Sequence, residues 1–276
     1  MKSLRLTFAL IPLLASGAYA AKDSCFECHT VMEGMSVPFK NDIHYTNSIS
    51  CADCHGGDCL EDNQNISMNA SRGFKVRVTR QGTPEYCARC HSDLNFMRKY
   101  KSQPRVDQFA LYQTGVHGKL LAAGRKAAAE CVDCHSVHNI RAVNDPQSTA
   151  NPRHITETCA KCHAATADLF KNSRHRTFTT AQRPGCVTCH ANHATETPTT
   201  AMLTGATSVC ARCHRAGSGQ IRTATQIAEI LTSLEAAGPS SKEALARARR
   251  AVHTLNVAAV RQAAEPVPAS PPAGQK

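Results

Sequence analysis

Tryptophan is absent from this chain, aromatic residues make up 5% of it, and tyrosine occurs five times. No signature of a nucleic-acid-binding module accompanies the net charge of +11, so the basic excess does not mark a DNA or RNA surface. Beyond one short stretch near the N-terminus no apolar run approaches membrane-span length, which excludes a transmembrane segment once that stretch is removed. A lipobox is missing as well, because Cys25 lies past the small-residue exit Ala18-Tyr19-Ala20. Acidic residues are the scarcer charge, 21 against 32 Lys and Arg.

Cysteine, by contrast, is abundant: fifteen residues, of which fourteen fall in seven copies of Cys-x-x-Cys-His. The pairs are Cys25 and Cys28, Cys51 and Cys54, Cys87 and Cys90, Cys131 and Cys134, Cys159 and Cys162, Cys186 and Cys189, and Cys210 and Cys213. They are followed by His29, His55, His91, His135, His163, His190 and His214. Two thiols three residues apart can each form a thioether to one porphyrin vinyl group while the next imidazole reaches the iron, so the motif is the attachment site of c-type haem. A zinc ribbon needs no histidine after every second cysteine, and a dithiol redox centre needs one copy only. Seven covalently bound haem c groups are expected, with the fourteen cysteines holding them and Cys59 left over, open to a buried free thiol, an intermolecular disulfide or a ligand role.

Seven histidines remain outside the motifs: His44, His117, His138, His154, His175, His193 and His253. Seven irons and seven spare imidazoles predict two axial histidines per iron, a closed coordination shell and electron transfer rather than catalysis. His44, His117 and His175 stand upstream of a motif, and His138 and His193 lie three residues after a motif histidine. His154 is the least committed by position, and His253 sits on an expected C-terminal helix. A shortfall would leave an iron to Met32, Met35, Met97 or Met202, to water, or to a histidine of another subunit.

The motifs also repeat as a unit. Motif, spare histidine, motif recurs from Cys25 to His55, from Cys87 to His138 and from Cys159 to His193, and a seventh motif stands apart. Through Tyr112-Gln-Thr-Gly-Val-His117-Gly, Glu130-Cys-Val-Asp-Cys-His135-Ser-Val-His138 and Glu157-Thr-Cys-Ala-Lys-Cys-His163 the chain resembles periplasmic multihaem c-type cytochromes with paired haem motifs, related to the class III tetrahaem cytochromes. The resemblance covers about residues 22 to 262. It implies a carrier that passes single electrons between a redox-protein donor and acceptor of a respiratory chain, with a membrane quinol-oxidising complex or a terminal reductase as candidate partners. Two alternatives stay open: a reductase of a small nitrogen or sulfur oxyanion at one open haem, and a subunit of an extracellular electron conduit. Pentahaem nitrite reductases carry a lysine variant of the motif that is absent here, so no catalytic residue is carried over.

Lys2 and Arg5, the apolar run Leu6 to Leu14 and the exit at Ala20 read as a secretory signal over 1–20, and haem c is attached after export. A periplasmic or extracellular location follows. Roughly 37 residues per haem are too few for an ordinary core, so the porphyrins must supply it. Phe26, Val37, Phe39, Ile49, Leu94, Phe96, Leu111, Leu169 and Phe178 are expected to coat them. The fold expected is mainly α with long loops, organised around seven haems over 21–220, with little β. One strand or hairpin arm is expected over 74–80 from period-two alternation. Ile227, Ile230, Leu231 and Leu234, then Gly238-Pro239, then Leu245, Ala248, Val252, Leu255 and Ala259 predict a helical hairpin over 221–262. The Pro- and Ala-rich stretch 263–276 reads as a disordered tail. An oligomer remains open.

Overall fold

The computed structural model describes residues 23–32, 36–177, 184–205 and 207–266. The expected signal, Met35, Phe178 and the tail from residue 267 onward lie outside them. The chain divides into two compact units, Met1–Val37 with His44–Val76, and Pro38–Ile43 with Arg77–Lys276. The fold is mainly helical, as the sequence predicts, and among the described residues there is no strand.

In the first unit, helix α1 (Ser24–Val31) starts where Asp23 accepts a hydrogen bond from the Phe26 amide at 3.1 Å. Ser24, 2% exposed, donates from both its amide and its hydroxyl to the Cys59 carbonyl, at 2.8 and 2.7 Å. This ties the segment beyond α2 (Cys51–His55) to the start of α1. The leftover Cys59 thus has a structural setting at the backbone, and its side chain is half-buried.

The second unit carries α3 (Thr83–His91), α4 (Gln108–Thr114), α5 (Val116–Ala122), α6 (Cys131–His135), α7 (Ile155–Lys171) and α8 (Cys186–His190). It ends in α9 (Gly219–Ala236), α10 (Lys242–Ala251) and α11 (Val257–Ala264). The short segment Pro38–Ile43 joins this unit through Asp42, 1% exposed, whose carboxylate accepts from the Ile140 amide at 2.6 Å. The Ile43 amide returns to the Ile140 carbonyl at 2.7 Å.

The repeat found in the sequence is also a repeat of local structure. The second, fourth and sixth motifs are each a five-residue helix and nothing more: α2, α6 and α8. Ser50 and Asp53 cap α2 reciprocally, the Ser50 hydroxyl accepting from Ala52 and Asp53 amides and the Asp53 carboxylate accepting from the Ser50 amide at 2.7 Å. Glu130 and Asp133 do the same for α6, and Thr188 accepts from the Gly185 amide at α8. Each of these helices then stops at a residue with positive φ directly after its histidine: Gly56 at 70°, Ser136 at 72° and Ala191 at 60°. At Gly56 a Cβ would meet the Gly73 carbonyl oxygen at 2.3 Å, so that position takes glycine alone. The first, third and fifth motifs lie within longer helices, α1, α3 and α7, and α7 bends at His163, where φ is −108° and ψ 42°.

Two expectations fail here. Residues 74–80 form no strand, because no second strand pairs with them. Instead Lys75 donates from its amide to the His55 carbonyl, and the Arg80 guanidinium holds the Lys126 and Ala128 carbonyls at 2.8 and 2.9 Å and pairs with Asp133. The C-terminal part is three helices, not a hairpin. The second helix is broken by a 3-10 turn, Val252–Thr254, and by Leu255 at φ 54°, after which Asn256 caps α11 through its side-chain oxygen. The last helix also runs to Ala264, two residues into the expected tail.

Among the described residues an apolar cluster lies in that bundle: Ile227, Leu231, Ala248, Ala251 and Val260, surrounded by Leu203, Ile230, Leu234, Leu245 and Val257. Ile227→Ala should destabilise the bundle by about 2–5 kcal/mol, the usual range for an excavated core. Amide exchange across α9 to α11 would report it, and unchanged protection there would contradict the packing.

Candidate functional site

Among the described residues outside the bundle, the buried polar residues Ser24, Asp42, Ser67, Glu130, Ser148, Asn151, Thr156, Thr158, Ser173 and Ser208 outnumber the buried apolar ones, Phe39, Leu121, Ala128, Ile155, Ala167 and Phe170. Val31, Val37, Leu94, Leu120, Val137 and Val143 are exposed in the polypeptide alone. Of the residues expected to coat porphyrin faces, Phe39 is buried at 8% exposure and meets the His138 ring edge-on, with centroids 6.3 Å apart. A motif region with so little apolar core of its own suits one completed by large apolar groups.

The motif cysteines are brought together in a definite order. Cys25 and Cys51 are close enough for the field of one to act on the other. The thiols of Cys87 and Cys131 lie close enough to interact, as do those of Cys159 and Cys186. Cys134 neighbours Cys162, and Cys189 neighbours Cys210 and Cys213. In the second unit the third to seventh motifs therefore follow one another in space as in sequence, and in the first unit the first adjoins the second. Burial raises the thiols of Cys25 to about 11 and Cys51 to about 12, so before attachment they are neutral rather than reactive thiolates.

Four imidazole pairs carry the geometry. His135 and His193 have ring centres 6.0 Å apart and planes within 10°, and His175 and His214 repeat both values. His190 and His253 stand at 6.0 Å and 24°, and His117 and His163 at 6.3 Å and 38°. An imidazole nitrogen bonds a metal at about 2.0–2.1 Å and its ring centre lies about 1 Å behind, so two imidazoles on opposite sides of one ion hold their centres about 6 Å apart. Every pair joins one motif histidine to one histidine outside the motifs. Stacking without a metal between the rings has no reason to choose partners that way.

The electrostatics agree with the ligating form. Burial, reinforced by the partner imidazole, pushes His117, His135, His175 and His190 below the ordinary histidine value. Burial lowers His193 too, helped by Arg105. Each is thus held neutral, with a lone pair available to a metal. His193 Nδ1 is buried without a hydrogen-bond partner among the described residues, a nitrogen the polypeptide alone does not satisfy. His253 Nδ1 must carry its proton, because it faces the Arg250 carbonyl at 2.9 Å, and this leaves Nε2 for the His190 side. His55 is oriented likewise by the Lys75 carbonyl at 3.0 Å.

His44, His55, His91 and His138 are each engaged in further contacts. His154 is not brought to a motif imidazole: its ring bond runs from Nε2 to the Pro146 carbonyl at 2.8 Å. That bond belongs to a clamp in which Asn151 donates to the Val143 and Asp145 carbonyls, and Thr149 donates to the Cys134 carbonyl at 2.6 Å. The loop ahead of α7 is thereby fixed against the fourth motif, a role the sequence did not reveal. The glycine of Thr-Gly-Val-His is legible only in the structure as well. A Cβ on Gly115 would meet the His193 carbonyl at 2.8 Å, and the Val116 amide bonds the Thr195 carbonyl at 2.7 Å, so His117 and His193 are positioned by one backbone contact.

The family model described as cytochrome c3 matches residues 43–147, and that described as cytochrome c554 and c-prime matches residues 13–56. These matches support a multihaem c-type cytochrome. They span the first four motifs; the ring pairs involve the fourth to seventh, of which the fifth to seventh lie beyond the matched residues. No curated protein and no solved structure matches the chain. Among the described residues no helix is long and apolar enough to cross a membrane.

Proposed function

We propose that this chain is an exported, periplasmic heptahaem cytochrome that passes single electrons between a donor and an acceptor protein of a respiratory chain. The reading rests above all on the four imidazole pairs at iron-sandwich spacing, each uniting a motif histidine with one from elsewhere in the chain. When bound, haem c supplies one-electron chemistry at its iron. The chain's own work is attachment through fourteen thiols, axial ligation, and exclusion of water by the loops around them. Opposed imidazoles close a coordination shell, which favours a carrier over a catalyst. Neighbouring thiols of successive motifs keep the attachment points in series, which suits transfer along the chain. Arginines and lysines in excess offset haem propionates, and any basic remainder steers acidic partners, so exchange rates with them should fall with salt.

A periplasmic extract tests this by intact mass and alkaline pyridine spectra. Seven haems per chain, with the first twenty residues removed, are the expected values. Fewer haems or a cytoplasmic location would sink the reading.

A further inference from the structure

The four pairs obey a rule. His117, inside the motif pair that begins at Cys87, faces His163 of the following pair, and His175, inside that following pair, faces His214 of the seventh motif. His193, behind the pair that ends at His190, faces His135 of the pair before it, and His253, behind the seventh motif, faces His190. A histidine inside a pair therefore serves the opening motif of the next pair. A histidine behind a pair serves the closing motif of the one before. In all four cases the donor comes from a neighbouring repeat and never from the motif's own pair.

An opening motif is thus served from the pair before it in sequence, and Cys25–His29 is the first of the seven motifs. His44 and His138 occupy inside and behind positions, which the rule assigns to motifs other than the first. All fourteen histidines lie among the described residues, and His29 is exposed there with no ring contact or side-chain hydrogen bond. His154, which the rule does not use, is held by the Pro146 carbonyl. Met32 follows His29 by three residues at the end of α1, so both project from one side of the helix and cannot approach an iron from opposite sides.

We propose that none of the described residues supplies a ligand opposite His29, and that this position binds a small haem ligand from solution, a neutral diatomic on the ferrous form or a small anion on the ferric form. The inference deepens the heptahaem reading and rests on it. The sites of His135, His163, His190 and His214 are closed by imidazole pairs, and the first is the entry for exogenous ligands. Its surroundings are open: Val31 is 84% and Met32 62% exposed.

The test uses the intact holoprotein. Low-temperature EPR of the oxidised form should show a high-spin signal integrating to one iron in seven, and carbon monoxide should titrate one site per reduced chain. His154→Ala should change neither, because that imidazole closes no site. Replacing both Cys25 and Cys28 by alanine should leave six haems, abolish the high-spin signal and remove carbon monoxide binding. Seven low-spin irons with no carbon monoxide uptake would overturn the proposal, as would a second carbon monoxide site in His154→Ala or retained binding in the double cysteine variant. Should the double variant fail to accumulate, the wild-type spin count and His154→Ala still decide. A haem count below seven would instead overturn the reading on which the inference rests.

Discussion

Produced without haem attachment, the chain is expected to lose the structure of its motif region while its C-terminal helices survive only in part. Far-UV circular dichroism should fall below about a third of the holoprotein's helical signal, the full share held by α9, α10 and α11. The argument follows from where apolar side chains are buried. Among the described residues up to the seventh motif these are Phe39, Leu121, Ala128, Ile155, Ala167 and Phe170. Each fully buried large side chain contributes about 1.5–3 kcal/mol, whereas every residue ordered costs about 1–2 kcal/mol of backbone entropy. Six side chains, two of them alanine, cannot order so long a region. The capping boxes on α2 and α6 do not rescue it, since a five-residue helix is far below the length that is stable alone. The bundle differs because Ile227, Leu231, Ala248, Ala251 and Val260 form a continuous core, yet it is small enough to be marginal by itself. Cooperative unfolding of the haem-free chain with near-native ellipticity would show that the polypeptide carries its own core after all.

How much could be read in advance depends on the range of the interaction. Cys-x-x-Cys-His is legible because attachment and proximal ligation are local, all within one helical turn. The alternation of motifs in short capped helices with motifs in longer helices was also within reach: Ser50 with Asp53 and Glu130 with Asp133 are capping pairs at the required spacing. The distal partners were not legible, because His117 and His163, or His190 and His253, meet across tens of residues of intervening chain. Counting spare histidines against motifs named the candidates but gave no pairing, and His154 shows the cost, its Nε2 engaged by a loop carbonyl. The period-two run at 74–80 misled because alternation says which faces a strand would have and nothing about whether a second strand exists. The C-terminal hairpin misled for a local reason, Asn256, whose capping side chain starts a new helix where the apolar stripe alone continues the old one.

The pairing itself has its sharpest consequence at His253. His253→Ala should convert the sixth motif's site from closed to open, adding one high-spin iron and one carbon monoxide site to whatever the wild type shows. The imidazole sits in the turn Val252–Thr254, its Nδ1 held by the Arg250 carbonyl at 2.9 Å, so that Nε2 is the nitrogen turned to the His190 side. No other histidine is paired with His190. The bundle core does not include His253, so α9 to α11 should remain folded and the change should be confined to coordination. Millimolar imidazole should then restore the low-spin spectrum, which a general unfolding would not allow. His253→Met should keep that iron six-coordinate and raise its potential by on the order of 0.1 V, within the ~0.8 V that axial ligands command. An unaltered spin count in His253→Ala would mean that the 6.0 Å pair is ordinary ring stacking. The rule built on the four pairs, and with it the open position opposite His29, would then lose one of its supports.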